Sequence, residues 1–367
     1  MVSSYNLWDF TVWEFVITIT ILMTGMITAN AMIRLIKPLR NLLIPGSVLG
    51  GFLLLGVFSA YKSATGSALV DASVLELLTY HGLGLGCTAT ALKTEKAKER
   101  KHTQRDIFNS SLVTTSTYLV QALCGLAVSV GLFFILSNVW PASGMLVPMG
   151  FGQGPGQAYN WGHTYEMSWG FANGTSYGLT VASIGFIACS IGGVIYLNVM
   201  RLRKSSKVTC KVEDDDCENL TLEEVHGPND IPMSDSLDKL TIEMALVFMT
   251  YAIAFGITYV LSTLCDKSGV ELLISTVKPL LWGFNFIFAA LAGLITKAII
   301  SFFGKRNIIE KQYVNNMFMD RISGLFFDIM IVASIAAINL SAFRQSEFVI
   351  PLLVGCTLAT VATYFYV

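Results

Sequence analysis

Four glycines alternate with other residues through MGFGQGPGQAYN, which sets Gly150, Gly152, Gly154 and Gly156 around Pro155. Glycine admits backbone with φ > 0 and lets a bound group come close to the main chain. Pro155 lacks an N–H and turns Gly154 away from helical angles. Peptide N–H groups freed at such a break can meet a carboxylate, and the carbonyls beside them can coordinate Na⁺. Gln153, Gln157 and Asn160 add neutral donors and acceptors without burying a fixed charge. The candidate substrate-binding residues are therefore Gly150, Gly152, Gln153, Gly154, Gly156, Gln157 and Asn160. A solvated loop that uses glycine for turns would show the same composition. A nucleotide-binding glycine motif would need a preceding strand, and the setting here is apolar instead.

Ionisable residues inside apolar runs form the second set of candidates, because each is costly in lipid. Asp328 lies within GLFFDIMIVASI and is, with Gly154, the candidate sodium site. An interfacial position or a structural hydrogen bond would explain Asp328 equally well. His81 reads more readily as an interior histidine with a satisfied ring. Glu14, Glu76 and Glu243 stand near the ends of apolar runs and read as interfacial. His163 and Glu166 have the spacing that one helical turn brings together. Lys278 and Lys297 lie toward opposite ends of one apolar run, where a long side chain can snorkel. Trp8, Trp13, Trp140 and Trp161 read as an aromatic belt toward one face. No metal site is read: Cys210 and Cys217 share a polar loop, but no further Cys or His completes a zinc pattern. The remaining cysteines lie in or beside apolar runs and read as small buried hydrophobes.

The elements that must hold these residues follow from composition. The chain is 53% hydrophobic and 13% charged, with mean hydropathy +0.61. Soluble domains carry about 25% charged residues, so an all-α polytopic membrane protein is expected. A β-barrel would show short alternating segments, which are not seen. Net charge is -1, which gives no footprint for nucleic acid. The N-terminus carries Asp9 and Glu14 in place of a basic region, so no cleaved signal peptide is read. Apolar runs predict spans at 12–35, 42–61, 72–92, 110–136, 177–200, 240–264, 272–300, 322–340 and 348–367. Basic residues follow the odd-numbered spans: Arg34, Lys37 and Arg40; Lys93 to Arg105; Arg201 to Lys207; and Lys305, Arg306 and Lys311. The positive-inside rule then places the N-terminus outside.

With that alternation, residues 144–166 leave and return to the outer face. Met145, Leu146, Val147, Met149 and Phe151 argue against free solvation, so a re-entrant hairpin is expected there. The polar segment 201–238 reads as a cytoplasmic acidic and basic linker. It separates a first transmembrane repeat, 1–200, from a second, 239–367. The two enter the membrane from opposite faces, as inverted repeats do.

The residues of the break resemble the re-entrant signature of the sodium/glutamate symporter (ESS) family, in which alternating glycines precede a small residue, Ala and an aromatic. Gly152, Gly154, Gly156, Ala158 and Tyr159 fall on matching positions, whereas Phe151 replaces the first paired glycine. Pro155 and Gln157 stand where smaller residues are familiar. IPGSVLGG at 44–51, LTYHGLGLGCTATALK at 78–93 and ANGTSYGLTVASIGFIACSIGG at 172–193 are similar to further segments of the family in kind and order. The resemblance implies a homodimeric secondary transporter with two inverted repeats of five helices, each carrying a re-entrant hairpin. It implies Na⁺ as the coupling ion, no other cofactor, and an acidic amino acid, most naturally glutamate, as substrate. It further implies an elevator-type movement in the cell (inner) membrane. On that pattern the second repeat lacks its hairpin and last helix, so the sequence is expected to be C-terminally truncated at Val367.

Three alternatives stay open at this point. One is a symporter of another small carboxylate, and a second is a passive channel. The third is an intramembrane enzyme built on His81, His163, Glu166 or Asp328. Such enzymes concentrate Ser/Lys, Asp/Asp or histidine-rich sets within spans, and four histidines in the chain do not form one. The expectation is a protein that is not an enzyme.

Overall fold

In hydrocarbon a peptide group has no water to bond, so a long apolar run must pair its backbone within itself, as a helix does. The computed structural model describes residues 6–42, 44–93, 104–136, 138–202, 236–306 and 314–366. These residues are helical almost throughout and contain no strand. In chain order the helices are α1 (Phe10–Leu35), α2 (Lys37–Asn41), α3 (Gly46–Thr65), α4 (Ala72–Leu92) and α5 (Gln104–Phe133). Then come α6 (Leu146–Gln153), α7 (Pro155–Trp169), α8 (Gly174–Leu202), α9 (Ser236–Ser268) and α10 (Lys278–Gly283). The last three are α11 (Asn285–Lys305), α12 (Asn316–Ala336) and α13 (Ser346–Tyr366).

Among the described residues, seven helices are long and apolar enough to cross a membrane: α1, α3, α5, α8, α9, α11 and α13. The chain is thus an all-α polytopic membrane protein. Two of the nine expected spans, 72–92 and 322–340, form helices of 21 residues that are not among the seven. The reason is composition. α4 mixes Glu76, His81, threonines and glycines into its apolar residues, and α12 carries Asp320, Arg321 and Asp328. A third expectation is corrected outright. Residues 272–300 are not one helix: a π-turn (Leu273–Val277) leads into α10, and the chain bends at Phe284 before α11 begins. Pro279, at the start of α10, cannot donate to a preceding carbonyl, which favours a helix start there.

The helices form two compact units. One comprises Met1–His81, His102–Val194 and Asp328–Val367, and the other Gly82–Lys101 and Ile195–Phe327. Both draw on residues from either side of the 201–238 linker, so compactness divides the chain differently from the sequential halves 1–200 and 239–367. Residues 203–235 lie outside the described residues, together with Cys210, Cys217 and many of the loop cations used for orientation.

In the larger unit α1 packs on α3, where Leu22 and Leu54 join Leu75, Val332 and Ala333 in one buried cluster. α13 lies along α5, and Gln121 Nε2 donates to Thr363 Oγ1 at 3.2 Å. Leu352 and Cys356 of α13 join Leu146, Tyr165, Tyr177 and Val181 in a second cluster. Trp140 and Trp161 pack against that cluster, so only Trp8 and Trp13 of the expected aromatic belt are exposed. Trp140 stacks on Phe171 at 4.9 Å and holds the turn between α7 and α8 closed.

In the smaller unit α9 and α11 approach closely through Ala254, Ala289 and Ala292, in the manner of small-residue contacts between membrane helices. Lys93 pairs with Asp320, and Lys297 Nζ donates to the Lys93 carbonyl at 2.6 Å, close to the end of α4. Lys297 thus caps a helix end instead of snorkelling freely. Lys278 binds both carboxylate oxygens of Asp266 at 2.8 Å. Glu243 departs furthest from expectation. It is fully buried within the protein, and its Oε1 accepts the Asn315 N–H at 2.8 Å. A carboxylate at the start of α12 meets peptide N–H groups that the helix itself leaves unpaired.

Glu243→Leu should therefore lower the thermal midpoint of the detergent-solubilised protein, by the ~1–3 kcal/mol of an orphaned buried N–H. Gly56→Ala should leave it unchanged or slightly raised, because a Cβ at Gly56 meets only open space and Ala favours helix. Differential scanning fluorimetry compares the two.

Candidate functional site

The glycine stretch forms two helices that meet at one residue. α6 ends at Gln153, α7 begins at Pro155, and Gly154 between them has φ 81° and ψ −173°. That combination of angles is essentially confined to glycine. A Cβ at Gly154 would meet nothing within 4 Å, so conformation and not space restricts the position to glycine.

Close contacts trace the path of the two helices. The Gly144 backbone lies against that of Gly125 on α5, and Gly152 lies against the Tyr118 ring further toward the start of the same helix. Gly150 meets Val181 and Ala182 of α8, and Phe151 meets Gly185. The chain then turns at Gly154 and comes back. Ala158 lies against Gly178, and Gly162 against Gly174, a constant antiparallel register along α8. The hairpin therefore descends along α5 and returns along α8. Its tip lies near Gly185, ~16 Å along α8 from its start by helical rise. Each of these contacts needs a residue without a bulky side chain on at least one partner, which accounts for most of the glycines in the segment.

At the tip two helix ends meet. Ala158 N–H donates to the Gly154 carbonyl at 3.2 Å, the first internal bond of α7. Pro155 has no N–H, so Gly156 and Gln157 hold the N–H groups without an intrahelical acceptor, and no side chain caps them. They form the positive end of a 15-residue helix. The carbonyl end of α6 faces the same break. There the Tyr118 hydroxyl donates to the Gly152 carbonyl at 2.9 Å.

Gln157 is the most informative side chain here. It is 1% exposed, and neither its amide nitrogen nor its amide oxygen has a hydrogen-bond partner. A buried amide without partners costs ~1–3 kcal/mol per lost bond, so the fold holds this group at a penalty. Asn160, one turn further along α7, is also buried. Gly150 on α6 is buried, while Gly152 and Gln153, nearer the break on the same helix, are exposed. The expected substrate residues thus divide into a buried set, Gly150 with Gly156, Gln157 and Asn160, and an exposed edge at the end of α6.

Asp328 is exposed on α12. One and two turns on, Ile331 and Ile335 pack in the cluster that contains Tyr159 of α7. α7 and α12 end at the same cavity, so they run parallel. Among the described residues no hydrogen bond or ion pair joins the two sodium candidates. Sequence reasoning gave no sign of Tyr118, because a tyrosine in an apolar run carries no local mark of what it touches.

The spacing of His163 and Glu166 suggested a pair, and the structure gives each a different partner. His163 Nδ1 lies 4.0 Å from Glu76 Oε2, and the Tyr159 hydroxyl donates to the same carboxylate oxygen at 3.5 Å. Glu166 Oε2 accepts the Thr175 N–H at 2.9 Å at the start of α8. His81 stands edge-on to Tyr80 at 5.0 Å. Among the described residues no group of His, Cys, Asp or Glu is arranged to hold a metal ion. No family model, curated protein or solved structure matches the chain.

Gly154→Ala should destabilise the protein by ~1–3 kcal/mol, the penalty for placing a Cβ on this backbone, and should do so without any steric overlap. His163→Ala, which removes one half-exposed partner of Glu76, should cost less. Thermal midpoints of both variants, read beside Gly56→Ala, test the ranking.

Proposed function

We propose that the protein is a secondary active transporter that couples Na⁺ entry to symport of a small carboxylate, with an acidic amino acid, glutamate foremost, as substrate. The observation that carries this reading is the Gln157 amide, buried and unpaired beside the open N-terminus of α7. A polar group held at a penalty next to uncapped peptide N–H groups is suited to a ligand that supplies the missing bonds. A substrate carboxylate would take the Gly156 and Gln157 N–H groups, and the Gln157 amide would take a second polar group of the same molecule. Na⁺ would bind the carbonyl end of α6 near Gly154, with Asp328 supplying negative charge.

On this reading α6 and α7 form a re-entrant hairpin, entering and leaving at the outer face, with the N-terminus of the chain outside. Broken helices whose ends face substrate and ion near the middle of the bilayer are the common form of such sites. The transported complex would move by alternating access of elevator type within a homodimer in the cell membrane. The resemblance of residues 150–160 to the sodium/glutamate symporters supports the same assignment, with inverted repeats on either side of the linker.

Purified protein in proteoliposomes should accumulate labelled glutamate when a Na⁺ gradient is imposed, and not with K⁺ in its place. Gln157→Leu separates binding from folding. It should raise the thermal midpoint, because an unpaired amide is replaced by an apolar group of similar size, yet reduce uptake at least ~10-fold, the equivalent of one lost hydrogen bond to a charged group. Uptake that survives Gln157→Leu unchanged would remove the amide from the site. Absence of any Na⁺-dependent accumulation of small carboxylates would count against transport itself.

A further inference from the structure

A polar cavity lies at the end of α7 far from the helix break. Its volume is about 560 Å³, within the range of small-molecule sites. It is formed by the end of α3 and the turn after it, the start of α4, the junction of α7 with α8, and the segment joining α12 to α13. Leu55, Phe58, Leu69 and Leu75 supply an apolar wall. Around it stand two cations, Lys62 and Arg344, and two carboxylates, Glu76 and Glu166.

These four charges are not consumed by one another. Among the described residues the ion pairs are Lys93 with Asp320, His163 with Glu76, and Lys278 with Asp266, so neither Lys62 nor Arg344 bonds either glutamate. Glu76 lies 3.5 Å from the Tyr159 hydroxyl and 4.0 Å from His163 Nδ1, and Glu166 accepts the Thr175 N–H. Both carboxylates keep acceptor capacity. Lys62 and Arg344, at the exposed ends of their segments, keep their donors. With two positive and two negative groups, the lining favours neither an anion nor a cation.

We infer that this cavity binds a small, net-neutral zwitterion, an ammonium and an anionic group on one short framework, at a site separate from the helix break. The anionic group meets Lys62 and Arg344, the ammonium meets Glu76 and Glu166, and Ser176 and Asn339 line the cavity beside them. Glu76 also touches Tyr159 and His163 of α7, so an ammonium drawn to Glu76 acts on the helix that carries the break. The inference holds whether or not the chain transports a carboxylate, because it concerns binding at the cavity alone. The same chemistry occurs in a neutral amino acid and in the headgroup of phosphatidylethanolamine, and the experiment distinguishes them.

Isothermal titration of the full chain in detergent free of phosphatidylethanolamine, with L-alanine and L-glutamine as probes, should give saturable binding. Acetate and methylammonium, each offering half of the pattern, should bind at least ~10-fold more weakly. Lys62→Met and Arg344→Gln, both at exposed positions, should each weaken alanine binding by about that factor while the thermal midpoint holds. Glu166→Gln should weaken it as well. If the lipid headgroup is the occupant, added phosphatidylethanolamine will bind with the same Lys62 and Arg344 dependence and alanine will not. Equal binding of acetate and alanine would overturn the inference. So would a signal that survives Lys62→Met and Arg344→Gln but is lost in Gln157→Leu, since it would belong to the helix break. No saturable binding of either amino acid or of the lipid by protein of unchanged stability would overturn it too.

Discussion

In a slab of hydrocarbon an unpaired peptide group costs several kcal/mol, and the rest of this structure is arranged around that cost. Seven apolar helices meet it by pairing every interior N–H with a carbonyl one turn back. The break at Gly154 is the departure, because α6 and α7 end there within a few residues of each other. Such a break is tolerated only where protein surrounds it or where it faces something polar. α5 and α8 supply the surround. The contacts of Gly144 with Gly125, of Gly150 with Ala182 and of Gly162 with Gly174 bring backbone against backbone on both sides of the hairpin.

Close backbone packing has a second effect. It leaves little room for side chains to adjust, so the groups at the tip are held where the helices put them. Gln157 is buried there with both amide atoms unpaired, beside the contact of Ala158 with Gly178. α7 joins the break to the polar cavity. Its first turn carries the break, its middle carries Tyr159 and His163 against Glu76, and its last turns carry Glu166 at the cavity.

Three buried or half-buried charges follow the same constraint. Glu243 and Glu166 both spend a carboxylate oxygen on a peptide N–H at a helix start, and Lys297 spends its ammonium on a carbonyl at a helix end. In each case a side chain satisfies a main-chain group that the helix leaves open. Read as isolated residues in apolar runs, these looked interfacial or functional. Their roles are set by which helix end happens to lie opposite.

Much of the architecture was legible in the chain itself. Apolar runs of about the right length predicted helices, and α4 was placed with its observed ends, since hydropathy is local and a helix pairs its own backbone. The break was legible too, because Gly154 before Pro155 disfavours helix whatever surrounds it. The stretch 272–300 was misread as continuous because its long apolar run outweighed the local marks of Pro279 and Gly283. Tertiary structure alone decided which partner each polar group met: Tyr118 with the Gly152 carbonyl, Glu76 with Tyr159 and His163, Glu243 with Asn315. It also gathered Lys62, Glu76, Glu166 and Arg344 around one cavity from four separate segments. The physical reason is range. Helix formation and helix breaking are settled within a few residues, whereas a hydrogen bond or a shared cavity depends on how distant helices pack.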